Sequence, residues 1–256
     1  MNGWLASALR RERLAVLFAL LLITSLALGY TYWLATGFDM SDMMSPTFVP
    51  WSLEYFLFML AMWIVMMIGM MTPSVAPTVL LYAGFASRSA SQGHVFPSAG
   101  WFVAGYLLAW SAFATVATLL QWLLEWRALI TPMMAGTSRV VGGAMLIAVG
   151  VYQWLPWKQA CLASCRSPLS FIQRRGGFPA SAGGAVRLGA AHGLYCIGCC
   201  WMLMILLFAF GVMNLVWIAG LMVFVLLEKV VPHPGIFSRA AGAAAIVAGL
   251  TLVFER

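Results

Sequence analysis

Charge is scarce in this sequence. Seven acidic and 14 basic residues make up 8% of its 256 positions, whereas a soluble domain carries about a quarter. So few charges cannot cover a soluble surface, and a chain that is 63% hydrophobic reads as an all-α, polytopic bundle of transmembrane helices. Its five cysteines are too sparse for a disulfide scaffold. No phosphate-binding loop, nucleotide motif or Ser-His-Asp arrangement is present, which excludes an ATP-driven pump for this chain alone. The net charge of +7 does not argue for nucleic acid. In a membrane chain an excess of Lys and Arg reports the orientation of the loops.

Long apolar runs are what the sequence has instead. A spanning helix needs roughly 20 apolar residues, and on that basis about seven spans are expected in a single membrane domain, at 14–34, 53–72, 99–124, 140–155, 188–212, 215–231 and 236–254. The first follows the basic Arg10, Arg11 and Arg13. Its apolar core is too long for a signal peptide, so it reads as an anchor, with six spans left if it is removed. Apolar character continues past the second span to Phe85, and a break is expected near Pro73. Placing the N-terminus in the cytoplasm puts most of the basic residues inside. It also makes 157–187 a cytoplasmic loop, rich in Gly, Ser, Pro and Arg, with little expected structure.

The chemistry concentrates in Cys196-Ile197-Gly198-Cys199-Cys200-Trp201. On a helix, positions i, i+3 and i+4 share a face, so Cys196, Cys199 and Cys200 point the same way, with His192 one turn earlier. These thiols fall roughly 12–18 Å along their helix, near the middle of the membrane. Thiolate and thioether ligands select Cu(I), and thiolate with imidazole also suits zinc. The second span offers Met62, Met66 and Met70 along one face, expected about 14–20 Å down and level with the cysteines. A ladder of thioethers ending at thiols is a path for Cu(I), although cysteine and methionine also serve simply as packing residues. Secondary metal candidates are the outer-loop Asp39, Met40, Asp42, Met43 and Met44, and the pair Cys161 and Cys165 just past the fourth span. Glu228-Lys229 reads as an interfacial pair in an ordinary snorkelling position for Lys, with Glu228 facing the bundle as the alternative.

Two segments then carry a resemblance. One is Ala61-Met62 through Met70-Met71-Thr72-Pro73-Ser74-Val75-Ala76-Pro77. The other runs from His192 to Trp201 and continues in Gly211-Val212-Met213-Asn214 and Leu227-Glu228-Lys229. Together they resemble a bacterial family described as predicted metal-binding integral membrane proteins, a domain of unknown function with some members labelled copper chaperones. The resemblance implies the bacterial inner (cytoplasmic) membrane as location. It does not extend to the outer Asp-Met loop or to Cys161 and Cys165.

The leading expectation is a Cu(I)-binding membrane protein that transports copper or delivers it to a membrane cuproenzyme, with a copper donor or that cuproenzyme as partner besides the lipid bilayer. A membrane thiol–disulfide carrier using Cys196 and Cys199 is the second reading. The third is a non-catalytic subunit, or one copy of an oligomer, in a membrane complex.

Overall fold

The computed structural model describes residues 3–37, 51–90, 92, 96–127, 139–212 and 214–254. Among these the chain is wholly helical: α1 (Gly3–Gly37), α2 (Leu53–Ala90), α3 (Ala99–Trp126), α4 (Arg139–Trp154), α5 (Pro156–Arg166), α6 (Pro168–Arg174), α7 (Ala182–Phe210), α8 (Leu215–Val230) and α9 (Pro234–Phe254). Five stretches are long and apolar enough to cross a bilayer: Leu14–Leu34, Leu53–Ser89, Ala99–Trp126, Ala182–Phe210 and Pro234–Phe254. A sixth arises if α4 and α5, bent by 65° at Leu155, form one broken span. The chain is therefore a multi-pass membrane protein, with five or six candidate spans by length and composition among the described residues. Of the seven expected segments, α4 and α8 are the short ones. Each has 16 residues, or about 24 Å of helix, short of a ~30 Å hydrocarbon core.

Two expectations are corrected. Helix α2 runs unbroken through Pro73 and Pro77. Around the first proline, Thr72 Oγ1 donates to Ile68 O at 2.7 Å, Ser74 Oγ to Met71 O at 2.8 Å and Tyr106 Oη to Met71 O at 3.1 Å. Hydroxyls and a neighbouring helix thus add hydrogen bonds to backbone carbonyls in the turn beside Pro73. The segment 157–187 is not an unstructured loop, since it holds α5, α6 and the first turn of α7. Pro156 and Pro168 each occupy the first turn of a helix, where a missing N–H costs nothing. Leu162, Phe171 and Ile172 bury these short helices against the bundle.

Two seams of glycine set the packing. Helices α3 and α7 run parallel and in direct backbone contact: a Cβ built on Gly105 would overlap Val186 O, one on Gly189 would overlap Phe102 O, and one on Gly193 would lie 2.6 Å from Ala109 Cβ. Helices α4 and α9 repeat the device antiparallel, with Gly143 against Gly249 and Gly150 against Gly242, a Cβ built on each lying 2.6 to 2.7 Å from the opposing carbonyl. Between spanning helices there is little hydrophobic drive, and close approach of small residues supplies the attraction. Gly189→Ala is therefore expected to destabilise strongly, because the clash is with rigid backbone. Gly220→Ala, with nothing within 4 Å of its Cβ, should be neutral. Thermal midpoints of the two variants in detergent check this; equal midpoints would contradict the seam.

Candidate metal centre

Helix α7 starts at Ser181, whose side chain accepts from Gly184 N, and carries the Cys-x-x-Cys-Cys face into the bundle. Cys196, Cys199 and Cys200 are all buried. Helix α5 folds back over this face and delivers Cys165, also buried, while Cys161 packs over Gly198. The Sγ atoms of Cys165, Cys196 and Cys199 all lie within 4.8 Å of one another. A trigonal centre with bonds of ~2.3 Å, the length typical of Zn–S, separates its sulfurs by about 4 Å. The three thiols are thus already spaced for one ion. The third sulfur is Cys165, a secondary metal candidate in the sequence, and not Cys200. Cys200 Sγ and Cys199 Sγ point back to Cys196 O at 2.9 and 3.0 Å.

Around Cys196 the polar contacts are few and specific. Lys229 Nζ donates to Cys196 Sγ at 3.1 Å and to Ser74 Oγ at 2.9 Å. Tyr106 Oη lies 3.3 Å from the same sulfur and Ser74 Oγ 4.0 Å. The expectation that Lys229 snorkels to the headgroups is therefore corrected: its ammonium turns inward. Its neighbour Glu228 pairs with Lys158 of α5, both fully buried. Gln153 joins the pair by accepting from Lys158, and Ser238 Oγ donates to Glu228 at 2.8 Å. Arg166 also donates to Val231 O at 2.6 Å. The end of α8 thereby fastens α5, and with it Cys165, over α7. Tyr152 holds the other flank, donating to Gly198 O and accepting from Trp201 Nε1 at 3.0 Å.

The remaining sequence candidates divide. His192 is buried, with Nε2 3.5 Å from Thr78 Oγ1 and Nδ1 without a hydrogen-bond partner, and its ring packs on Phe102, Tyr106 and Phe171. It lies outside the group of mutually close ligand atoms. Helices α2 and α7 run antiparallel, with their register marked by Ser74 near Cys196 and by Trp63 stacked on Phe208 at 5.1 Å. By helix rise, Met70 comes level with Cys200, Met66 one turn further away, and Met62 level with Phe208. All three methionines are buried. Asp39, Met40, Asp42, Met43 and Met44 fall outside the described residues.

Sequence reasoning missed Lys229 as a neighbour of Cys196, although a Lys adjacent to a Glu at the end of an apolar helix carried the signal. Cys165 was named there, as a secondary metal candidate in an i, i+4 pair with Cys161.

A family model described as copper chaperone, PpoB2, matches residues 60–252. The chain belongs to the PpoB2 copper chaperone family. The matched stretch contains every element of the thiol group: α5 with Cys165, α7 with Cys196 and Cys199, and the Lys229 end of α8. No curated protein and no solved structure matches the chain. Membership of the PpoB2 family and a buried thiol group of this spacing both point to copper, with a copper-related partner that the family description does not specify.

Proposed function

We propose that this chain binds Cu(I) within the membrane at Cys165, Cys196 and Cys199, and passes it to or from a copper-requiring membrane partner. The observation that carries the reading is the convergence of three buried thiols from two helices within 4.8 Å. Soft sulfur ligands select Cu(I), and three sulfurs satisfy it, whereas a structural zinc site needs a fourth ligand. Lys229 supports the reading because a thiolate–Cu(I) centre is anionic and its ammonium offsets that charge. Cys200 and Met70 stand next in line as exchange ligands, and Met66 and Met62 continue the row of sulfurs along α2. His192 is then a neighbour of the centre on the side of α6, not one of the three sulfur ligands. The membrane we assign is the bacterial cytoplasmic membrane, with the N-terminus and α5–α6 on the cytoplasmic side, as the distribution of basic residues favours.

The test is the metal and free-thiol content of the protein purified anaerobically from copper-supplemented cells. About one tightly held copper per chain with reduced thiols is expected, lost in Cys165→Ser and in Cys196→Ser/Cys199→Ser. Retention of copper in both variants would overturn the site. Metal-free protein with an oxidised Cys196–Cys199 pair would replace it with thiol–disulfide exchange.

A further inference from the structure

The turn from α6 into α7 holds a cleft that the thiol centre does not use. Its volume is about 270 Å³, and it is lined by Arg175, Gly177 and Pro179 of the turn and by Arg187, Leu188 and Ala191 of α7. Arg175 caps the end of α6, and Tyr195 holds its guanidinium. Nη2 donates to Tyr195 Oη at 3.3 Å, and Cζ lies 5.5 Å from the ring centre. Arg187 stands on the second turn of α7 and is exposed, and no hydrogen bond or ion pair holds it among the described residues. The other cations of α5 and α6 are engaged: Lys158 with Glu228, Arg166 with Val231 O, and Arg174 with Ser170 O at 3.2 Å. No Asp or Glu occurs between Glu125 and Glu228, and none lines the cleft.

Charge and place together decide what such a cleft takes. Two guanidinium groups on a concave wall suit an oxyanion, phosphate above all, because each offers it paired N–H donors. An ordinary basic side chain at a membrane surface reaches out to water, whereas Arg175 is turned onto Tyr195 beside the cleft. Place then identifies the source of the phosphate. Leu194 lies seven residues, or two turns, beyond Arg187 on the same face of α7. It is 64% exposed, on a helix long and apolar enough to span. Within about 10 Å the outer surface of α7 thus passes from charge to hydrocarbon, as a phospholipid does. Leu188 and Ala191 continue the apolar surface into the cleft. A zwitterionic headgroup would bring its ammonium against two guanidinium groups, with no carboxylate there to receive it.

We propose that the cleft between α6 and α7 binds the phosphate of one anionic phospholipid, held by Arg175 and Arg187, with its chains along Leu194. Basic pockets at the ends of spanning helices recognise headgroups in this way. The occupant ties the end of α6 to the start of α7. The site owes nothing to copper, so it stands or falls separately from the function proposed above.

Full-length protein in detergent would be stripped of lipid and titrated with phosphatidylglycerol, phosphatidylcholine and inorganic phosphate. Native mass spectrometry counts bound lipid, and the thermal midpoint is followed in parallel. About one phosphatidylglycerol per chain is expected, held at least about tenfold more tightly than phosphatidylcholine and raising the midpoint by mass action. Arg175→Gln and Arg187→Gln should each weaken it about tenfold, and together they should abolish the preference. Both side chains are exposed, so the variants should fold. Arg239→Gln, which removes an exposed charge on α9 outside the cleft, should leave lipid binding intact. Equal retention of the two lipids, a preference that survives the double replacement, or an equal loss in Arg239→Gln would overturn the site. Stabilisation by inorganic phosphate that depends on Arg187 and matches that by phosphatidylglycerol would overturn lipid as the occupant.

Discussion

Lys229→Gln is expected to weaken Cu(I) binding by between 10- and about 100-fold, since a hydrogen bond to a charged group contributes about 1.5–3 kcal/mol and each 1.4 kcal/mol is a factor of ten. Lys229 Nζ is 3.1 Å from Cys196 Sγ, inside an apolar bundle where charge is poorly screened. A centre of three thiolates and one Cu(I) carries two negative charges, and the nearest positive group is that ammonium. The loss should appear as a higher dissociation constant in chelator competition at fixed pH, with the protein still folded. Lys229→Arg, which keeps the charge, should recover most of it. Equal affinities for Lys229→Gln and the unaltered protein would remove Lys229 from the centre and return it to an ordinary structural role.

The second large effect is expected one residue earlier. Lys158 and Glu228 are exposed by 0% and 1% and pair directly. Removing one partner of a buried pair strands the other charge and costs about 3–5 kcal/mol, whereas replacing both with apolar groups is often neutral. Glu228→Gln and Lys158→Met are therefore each expected to lower the thermal midpoint sharply. They should also weaken copper binding, because the pair fastens the helix that carries Cys165. The double replacement Lys158→Met/Glu228→Leu should regain most of the stability. If the double variant is as unstable as either single one, the pair contributes more than charge compensation. If neither single variant loses stability, the pair does not hold α5 in place.

How much of this was legible in the sequence differs by element. Composition alone gives a helical membrane protein, because 8% charge leaves no other solution. The facing cysteines of α7 are also legible, since helical periodicity fixes i, i+3 and i+4 on one side. The segments α4 and α8 are legible as apolar runs, but their lengths of 16 residues are not, because hydropathy reports that a segment avoids water and not where its helix starts and stops. Cys165 was legible as a secondary candidate but not as a neighbour of Cys196, because it lies 31 positions earlier on a helix opened by Pro156, and no local pattern states which face of α7 that helix will cover. Lys229 was hidden by its own flexibility. A long amine near a helix end can reach outward or inward, and only the placement of Ser74 and Cys196 decides which. The methionine row was visible from its spacing, but its register against α7 depends on Trp63 stacking on Phe208, a tertiary contact.

The adjacent residues Glu228 and Lys229 face two different parts of the molecule, α5 through Lys158 and α7 through Cys196. This has a consequence for biosynthesis. A ribosome finishes both cysteine-bearing helices well before it reaches residue 228, so the thiols enter the membrane with neither their counter-charge nor the clasp that seats Cys165. During that interval they are open to oxidation and to stray metal. Arrival of a single dipeptide near the carboxyl end then closes the cover and balances the charge together. A nascent chain halted after α7 would hold all five cysteines without the clasp, and on the function proposed above its competence to take copper would begin only as the last two helices dock.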